Sequence, residues 1–309
     1  MRIYLTRHLP ILALLFVVGV ACAPTPTPTA GKPTLKVLAT ESFLADIAQN
    51  VAGSRAQIDT LIPIGVDPHS FEPTPADIKK VADSNVLIIN GGGVEAFLER
   101  LLQNAGGKRL VIEAAKGLTS RKPSAGEPTD ADNPVDPHFW LDPTNVVQYV
   151  ENIRDGLSQV DPDGTATYAA NATAYIAQLK GLDQWVAAQV QPVPSARRLL
   201  VTNHEEFGYF ADRYGFKIVG TIIPSFSTDA SPSAQQLAQL IDQIKSSKAP
   251  AIFLEVSANP QMANQVAQET GVKVVTGLFT HSLSDTSGPA PTYIDMMKYN
   301  TQTIVDALR

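Results

Sequence analysis

The chain has 309 residues, 44% apolar and 17% charged, with a formal charge of -6: an ordinary globular composition, long enough for about two domains. The acidic balance argues against nucleic acid as a partner, which needs clustered Lys and Arg. Cys22 is the only cysteine, so a disulfide framework is excluded.

The first 21 residues read as an export signal. Arg2 and Arg7 form a basic start, and an apolar run broken only by Pro10 extends from Leu9 to Ala21. That run is shorter than the ~20 residues of a spanning helix and fits a secretory h-region. It ends in Gly19-Val20-Ala21-Cys22, which is similar to a bacterial lipobox with Gly19 where Leu is usual. Two outcomes stand: cleavage before a lipidated Cys22, or ordinary cleavage at Ala21-Cys22-Ala23. Residues 22–34, rich in alternating Pro and Thr, form a stiff extended tether. Once Cys22 is lipidated, the mature chain has no thiol to serve as ligand or nucleophile.

From Leu35 short apolar runs alternate with amphipathic segments, the pattern of α/β units. Strands are expected over 35–39, 57–61, 86–89 and 109–112, and helices over 43–51, 75–82, 94–103 and 144–158. The polar stretch 120–135 reads as a long exposed loop. Tyr168, Ala172, Tyr175, Leu179, Leu182 and Val186 recur at helical steps through a run with no internal proline. That run predicts a rod of ~40 Å. A second set follows, with strands over 199–202, 217–221, 251–254 and 272–275 and helices over 205–214, 233–245, 261–270 and 291–308. The fold expected is α/β: two lobes (35–160 and 192–309), each a small sheet flanked by helices, bridged by one long rigid helix (161–191).

Four of the five histidines lie in the mature chain: His69, His138, His204 and His281. Each falls in a turn or loop after an expected strand or at a helix start, where open α/β sheets bind ligands. Two come from each lobe, so their common meeting point is the cleft between them. Val66-Asp67-Pro68-His69 recurs as Val135-Asp136-Pro137-His138 and supplies two of the four. Four neutral imidazoles complete a tetrahedral zinc shell, and a closed shell favours carriage or sensing over water activation. The competing enzyme reading takes Glu205 as a general base beside three bound histidines. Adjacent helical side chains diverge by about 100°, which places Glu205 poorly for that role. Glu255, at the end of an apolar strand, is either a helix N-terminal charge or an acceptor that fixes a histidine tautomer. Asp67 and Asp136 carry the same pair of readings. Phe139 and Trp140 are expected to pack under the loop. Gly91-Gly92-Gly93 lacks the Lys-Ser/Thr of a phosphate loop and reads as a tight turn.

Several stretches together resemble a known family. They are Asp67-Pro68-His69-Ser70-Phe71-Glu72-Pro73, Asp136-Pro137-His138-Phe139-Trp140-Leu141-Asp142-Pro143, Asn203-His204-Glu205-Glu206-Phe207-Gly208-Tyr209-Phe210, Phe253-Leu254-Glu255, and Gly288-Pro289 through Met297. The chain resembles, over nearly all of residues 35–309, the bacterial substrate-binding lipoproteins that deliver Zn2+ or Mn2+ to ABC importers. The resemblance implies metal held in the cleft by His69, His138 and His204. It implies a fourth ligand, usually Asp, at the position of His281; Asp285, four residues on, is the alternative. It implies an ABC permease and ATPase as partners, a lipid-anchored extracytoplasmic location, a monomer and no enzymatic activity. Imidazole suits Zn2+, Cu2+ and Ni2+ better than Mn2+, so one Zn2+ per chain is expected. The alternatives are a Mn2+, Cu2+ or Ni2+ carrier of the same family, or a surface metalloenzyme or adhesin using the same cleft.

Overall fold

Runs such as Val86-Leu87-Ile88-Ile89 are apolar at every position, which suits only strands covered on both faces. The computed structural model describes Met1, residues 35–122 and residues 135–309. The expected signal segment, the tether with Cys22, and positions 123–134 of the polar stretch lie outside the described residues. From Leu35 onward the described chain forms one unit containing two four-stranded parallel sheets. Among the described residues no helix is long and apolar enough to cross a membrane.

The first lobe runs β1 (Leu35–Ala39), α1 (Ser42–Ala52), β2 (Ala56–Thr60), α2 (Pro75–Asp83), β3 (Val86–Ile89), α3 (Leu98–Ala105) and β4 (Leu110–Glu113). Its sheet order is β2-β1-β3-β4. After the loop come α4 (Pro143–Val160) and α5 (Thr165–Val190), a rod of about 39 Å. The second lobe runs β5 (Leu199–Thr202), α6 (Gly208–Tyr214), β6 (Lys217–Thr221), α7 (Ala234–Ser247), β7 (Ala251–Glu255), α8 (Gln261–Thr270), β8 (Lys273–Leu278) and α9 (Tyr293–Leu308). Its order, β6-β5-β7-β8, repeats that of the first. Strand order reverses between β1 and β3 in one sheet and between β5 and β7 in the other, so each lobe has its switch point there.

Helix starts are set by local chemistry. Thr74 and Asp77 form a reciprocal cap at α2, as Ser233 and Gln236 do at α7. Pro143 opens α4 under the Asp142 side chain, which accepts from Thr144 N. The buried stripe of α5 is Tyr168, Ala172, Tyr175, Leu179, Leu182, Val186 and Val190, and it packs on α1, α4, α6 and α9. One core therefore runs through both lobes, from Val37 and Phe43 across Tyr175 and Leu179 to Phe253 and Met296. Smaller apolar clusters cover the outer face of each sheet.

The three glycines after β3 all adopt left-handed φ, from 68° to 96°. A Cβ on Gly92 would lie 3.3 Å from Pro137 Cα, so the turn also lets the segment carrying His138 approach closely. Asn90 Nδ2 donates to Pro137 O at 3.1 Å and fixes that approach.

Candidate metal centre

All four histidines stand beyond the carboxyl ends of strands, and the fold brings them together. His69 comes from the loop between β2 and α2, and His138 from the segment between β4 and α4. His204 follows β5 and His281 follows β8. The six pairs of rings are separated by 5.0 to 5.6 Å between centroids, close to a regular tetrahedron. One nitrogen from each lies within 4.8 Å of the others. His138 and His204 are fully buried, His281 is buried, and His69 alone is half-buried.

Carboxylates set the orientation of two rings and stand beside a third. His138 Nδ1 is 2.9 Å from Asp136 Oδ1, and His281 Nδ1 is 2.7 Å from Glu255 Oε2. A carboxylate only accepts, so each Nδ1 carries the proton and each Nε2 keeps its lone pair. His204 Nδ1 is 3.2 Å from Glu255 Oε1, close for charge although poorly aligned for a hydrogen bond. Glu255 is anchored in turn by Asn203 Nδ2 at 2.8 Å and Thr280 Oγ1 at 2.9 Å, both donating. The inward Nε2 atoms of His69 and His281 are buried without a hydrogen-bond partner. His204 Nε2 and His138 Nε2 face each other at 3.3 Å. Two lone pairs at that separation repel unless a proton or a cation lies between them. A tetrahedral ion with bonds of about 2.0–2.1 Å puts its nitrogens about 3.4 Å apart, so the spacing suits a cation.

Electrostatics keep the rings ready. Burial, then the neighbouring imidazoles, hold His69 and His138 well below the usual histidine range. Burial also opposes charge on His281, but the Glu255 carboxylate beside it wins and raises that ring. Burial alone would raise Glu255; the facing His204 and His281 reverse this and hold it well below the carboxylate range.

The two Asp-Pro-His copies share a backbone turn but differ in function. Asp67 Oδ1 accepts from His69 N at 2.9 Å, as Asp136 Oδ1 does from His138 N at 3.0 Å. Asp67 does not orient the His69 ring; its Oδ2 accepts from Thr228 Oγ1 across the cleft at 2.6 Å. Trp140 is fully buried, with its ring against His138 and His281 and its Nε1 donating to Thr280 O at 2.7 Å. Phe139 is buried beneath the same segment.

Two carboxylates weighed in the sequence lie elsewhere. Asp285 is exposed, and its Oδ1 accepts from Ser287 N at 3.0 Å and Ser287 Oγ at 2.8 Å. The chain turns outward after Ser284, whose N–H binds Ala290 O, and so carries Asp285 away from the cleft. Glu205 accepts from Thr221 Oγ1 at 2.9 Å. The residue that sequence reasoning passed over is Glu206. It is fully buried, neither carboxylate oxygen has a hydrogen-bond partner, and Oε2 is 3.9 Å from His204 Nδ1. Burial and then the charge of Glu255 push it well above the carboxylate range. The only signal for it in the sequence was a second acidic residue directly before the apolar Phe207.

Comparison with known proteins places these features in context. The profile of the family described as zinc-uptake complex component A, periplasmic (ZnuA), matches residues 37–307. The manganese-binding lipoprotein MntA of Halalkalibacterium halodurans is 35% identical over 274 residues, covering 89% of this chain and 88% of that protein. The iron-binding protein YfeA of Yersinia pestis is 34% identical over 279 residues, covering 90% and 87%. Among solved structures, the periplasmic zinc binding protein TroA from Treponema pallidum aligns with a TM-score of 0.79 at 28% identity, covering 89% of this chain and 99% of that one.

Proposed function

The chain belongs to the family of periplasmic metal-uptake components described by ZnuA, and on that premise we propose that it captures Zn2+ in the cleft between its lobes and delivers it to the permease of an ABC importer. The observation that carries this reading is the convergence of four imidazoles whose inward nitrogens are buried and, at His69 and His281, unpartnered. His69, His138, His204 and His281 are the proposed ligands, and Asp136 and Glu255 orient the rings of His138 and His281. Four neutral donors suit Zn2+ and disfavour Mn2+ at this shell. The closed shell leaves no position at which to activate water, and Glu205 is occupied by Thr221. Both features support binding rather than catalysis. Relatives named as lipoproteins of metal ABC transporters support the reading that Cys22 is lipidated and holds the chain at the outer face of the membrane, beside its permease and ATPase.

Metal content and competitive titration test the ligand set. Wild type is expected to bind one Zn2+ per chain. His281→Ala will weaken it by at least the ten- to hundredfold typical of a disturbed shell, roughly. Asp285→Ala will leave it unchanged. Dependence on Asp285 instead, or no Zn2+ bound by wild type, would remove the four-histidine assignment.

A further inference from the structure

The inner side of the same cleft carries a second set of donors. His204 and His281 are stacked, with ring centroids 5.1 Å apart and planes inclined by 20°. His204 Nε2 faces His138 Nε2, the Nδ1 atoms of both rings face Glu255, and that of His204 also faces Glu206 at 3.9 Å. One donor atom each from His204, Glu206, Glu255 and His281 lies within 4.8 Å of the other three, and all four residues are buried. Glu206 makes this more than an acidic cluster. Both its oxygens are buried without a hydrogen-bond partner beside His204 Nδ1, an arrangement costly to maintain unless a ligand completes it.

We propose that this inner set is a second cation position, exclusive of the four-histidine one and suited to a harder divalent ion such as Mn2+ or Fe2+. The inference rests on the carrier reading of the cleft and widens its cargo. Exclusivity follows from the imidazoles. A neutral ring has one lone pair, so His204 and His281 present Nε2 to the outer position or Nδ1 to the inner one, not both. When the inner position fills, their protons move from Nδ1 to Nε2. Asn203 and Thr280 keep their bonds to Glu255, and the cation takes the place of the ring protons facing it. The proton now on His204 Nε2 points at His138 Nε2, 3.3 Å away, and turns a repulsive contact into a hydrogen bond. The outer position thus offers four nitrogens. The inner one offers two nitrogens and two carboxylates, Glu206 releasing its proton to solvent as the cation enters, and that mixture suits Mn2+ and Fe2+ better than an all-imidazole shell does.

The test uses the full chain as wild type, Glu206→Gln, and the double variant His69→Ala/His138→Ala. Each is titrated with Zn2+ alone, with Mn2+ alone, and with each ion against the other, in competition with a chromogenic chelator. In wild type the two ions should displace one another at one site per chain. Glu206→Gln should weaken Mn2+ by about ten- to a hundredfold and leave Zn2+ unchanged. The double variant should do the reverse. The affinity retained for the other ion reports that each variant is folded. The inner position is overturned if Glu206→Gln weakens both ions equally or neither, if the double variant loses Mn2+ as well, or if both ions bind at once. Should wild type bind Zn2+ with His69 and His138 required and Mn2+ indifferent to Glu206, the carrier reading stands and only the inner position falls. Should wild type bind neither ion, both fall together.

Discussion

Glu41 and Glu95 are buried side by side at the switch point of the first sheet, 1% and 6% exposed, with a single hydroxyl between them. Thr40 Oγ1 lies 2.6 Å from Glu41 Oε2 and 2.9 Å from Glu95 Oε1. One hydroxyl proton cannot satisfy both, so the pair is stable only when it retains a proton of its own. Glu95 also accepts from Asn90 N and Gly91 N, which leaves Glu41 as the natural holder. Burial, then the charge of Glu95, pushes Glu41 well above the carboxylate range. Burial raises Glu95 too, although those N–H donors offset part of it. The sign follows from linkage. The folded state binds a proton that the unfolded chain releases near its ordinary value of about 4.3. The stability contributed by that proton is therefore full at acid pH and lost as pH rises through the raised value. Glu41→Gln keeps an acceptor for Thr40, places an N–H toward Glu95 and removes the titration. The variant should melt at higher temperature than wild type near about pH 8, with the gain shrinking toward about pH 5. A wild type that is the more stable of the two at alkaline pH would refute this.

At the scale of elements, Gly156 in the C-terminal part of α4 marks the contact between that helix and β4. A Cβ there would sit 2.6 Å from Ile112 Cγ1, too close without movement of a buried side chain. Ala gains about 1 kcal/mol over Gly in a helix, but overpacking costs about 1–3 kcal/mol. Gly156→Ala should therefore be neutral to destabilising by about 2 kcal/mol. In an Ile112→Ala background the new methyl enters the space left behind, and the same change should stabilise. Denaturant melts of the four-protein cycle measure the coupling, and additive effects would mean that the two elements do not press on each other there. Elements of this kind were largely legible beforehand. The strands over 35–39, 86–89, 199–202 and 217–221 and the α5 stripe follow from apolar period alone. The misplacements occur where long-range polar contacts outrank propensity. A helix expected from Val94 begins at Leu98, because Glu95 turns back to bind Asn90 N and Gly91 N. Another expected from Glu205 begins at Gly208, because Glu205 N donates to Ser225 O and Glu206 N to His204 O, which hold residues 204–206 in a tight turn instead of a helix. The four histidines were easy to single out because few exist. Glu206 was not, since its burial depends on β7 and on the segment after β8, which no local pattern reveals.

For the whole molecule, the shared core decides how a cation can enter. Opening the lobes about α5 would expose apolar surface from both. It would also break buried bonds between them: Trp140 Nε1 to Thr280 O at 2.7 Å, Tyr293 OH to Trp140 O at 2.6 Å, and Leu283 N to Ser42 Oγ at 2.8 Å. The alternative costs far less. His69 is the half-buried member of the four, and it rides on the loop between β2 and α2. That loop is tied to the second lobe by Thr228 Oγ1 on Asp67 Oδ2 and by Gly65 N on Ser282 Oγ at 3.1 Å. Ile64 and Val66, 52% and 37% exposed, add little packing to hold it. Exchange should therefore proceed by local release of this loop rather than by a hinge between lobes. Two measurements separate the routes. Small-angle scattering should give the same radius of gyration with and without Zn2+, while hydrogen exchange over residues 62–71 rises when the ion is removed. Thr228→Val deletes one hydrogen bond to a carboxylate, a contact of about 1.5–3 kcal/mol, and should speed release into excess chelator by about tenfold or more. An expanded metal-free form, or release indifferent to Thr228, would instead place the moving part at the long helix.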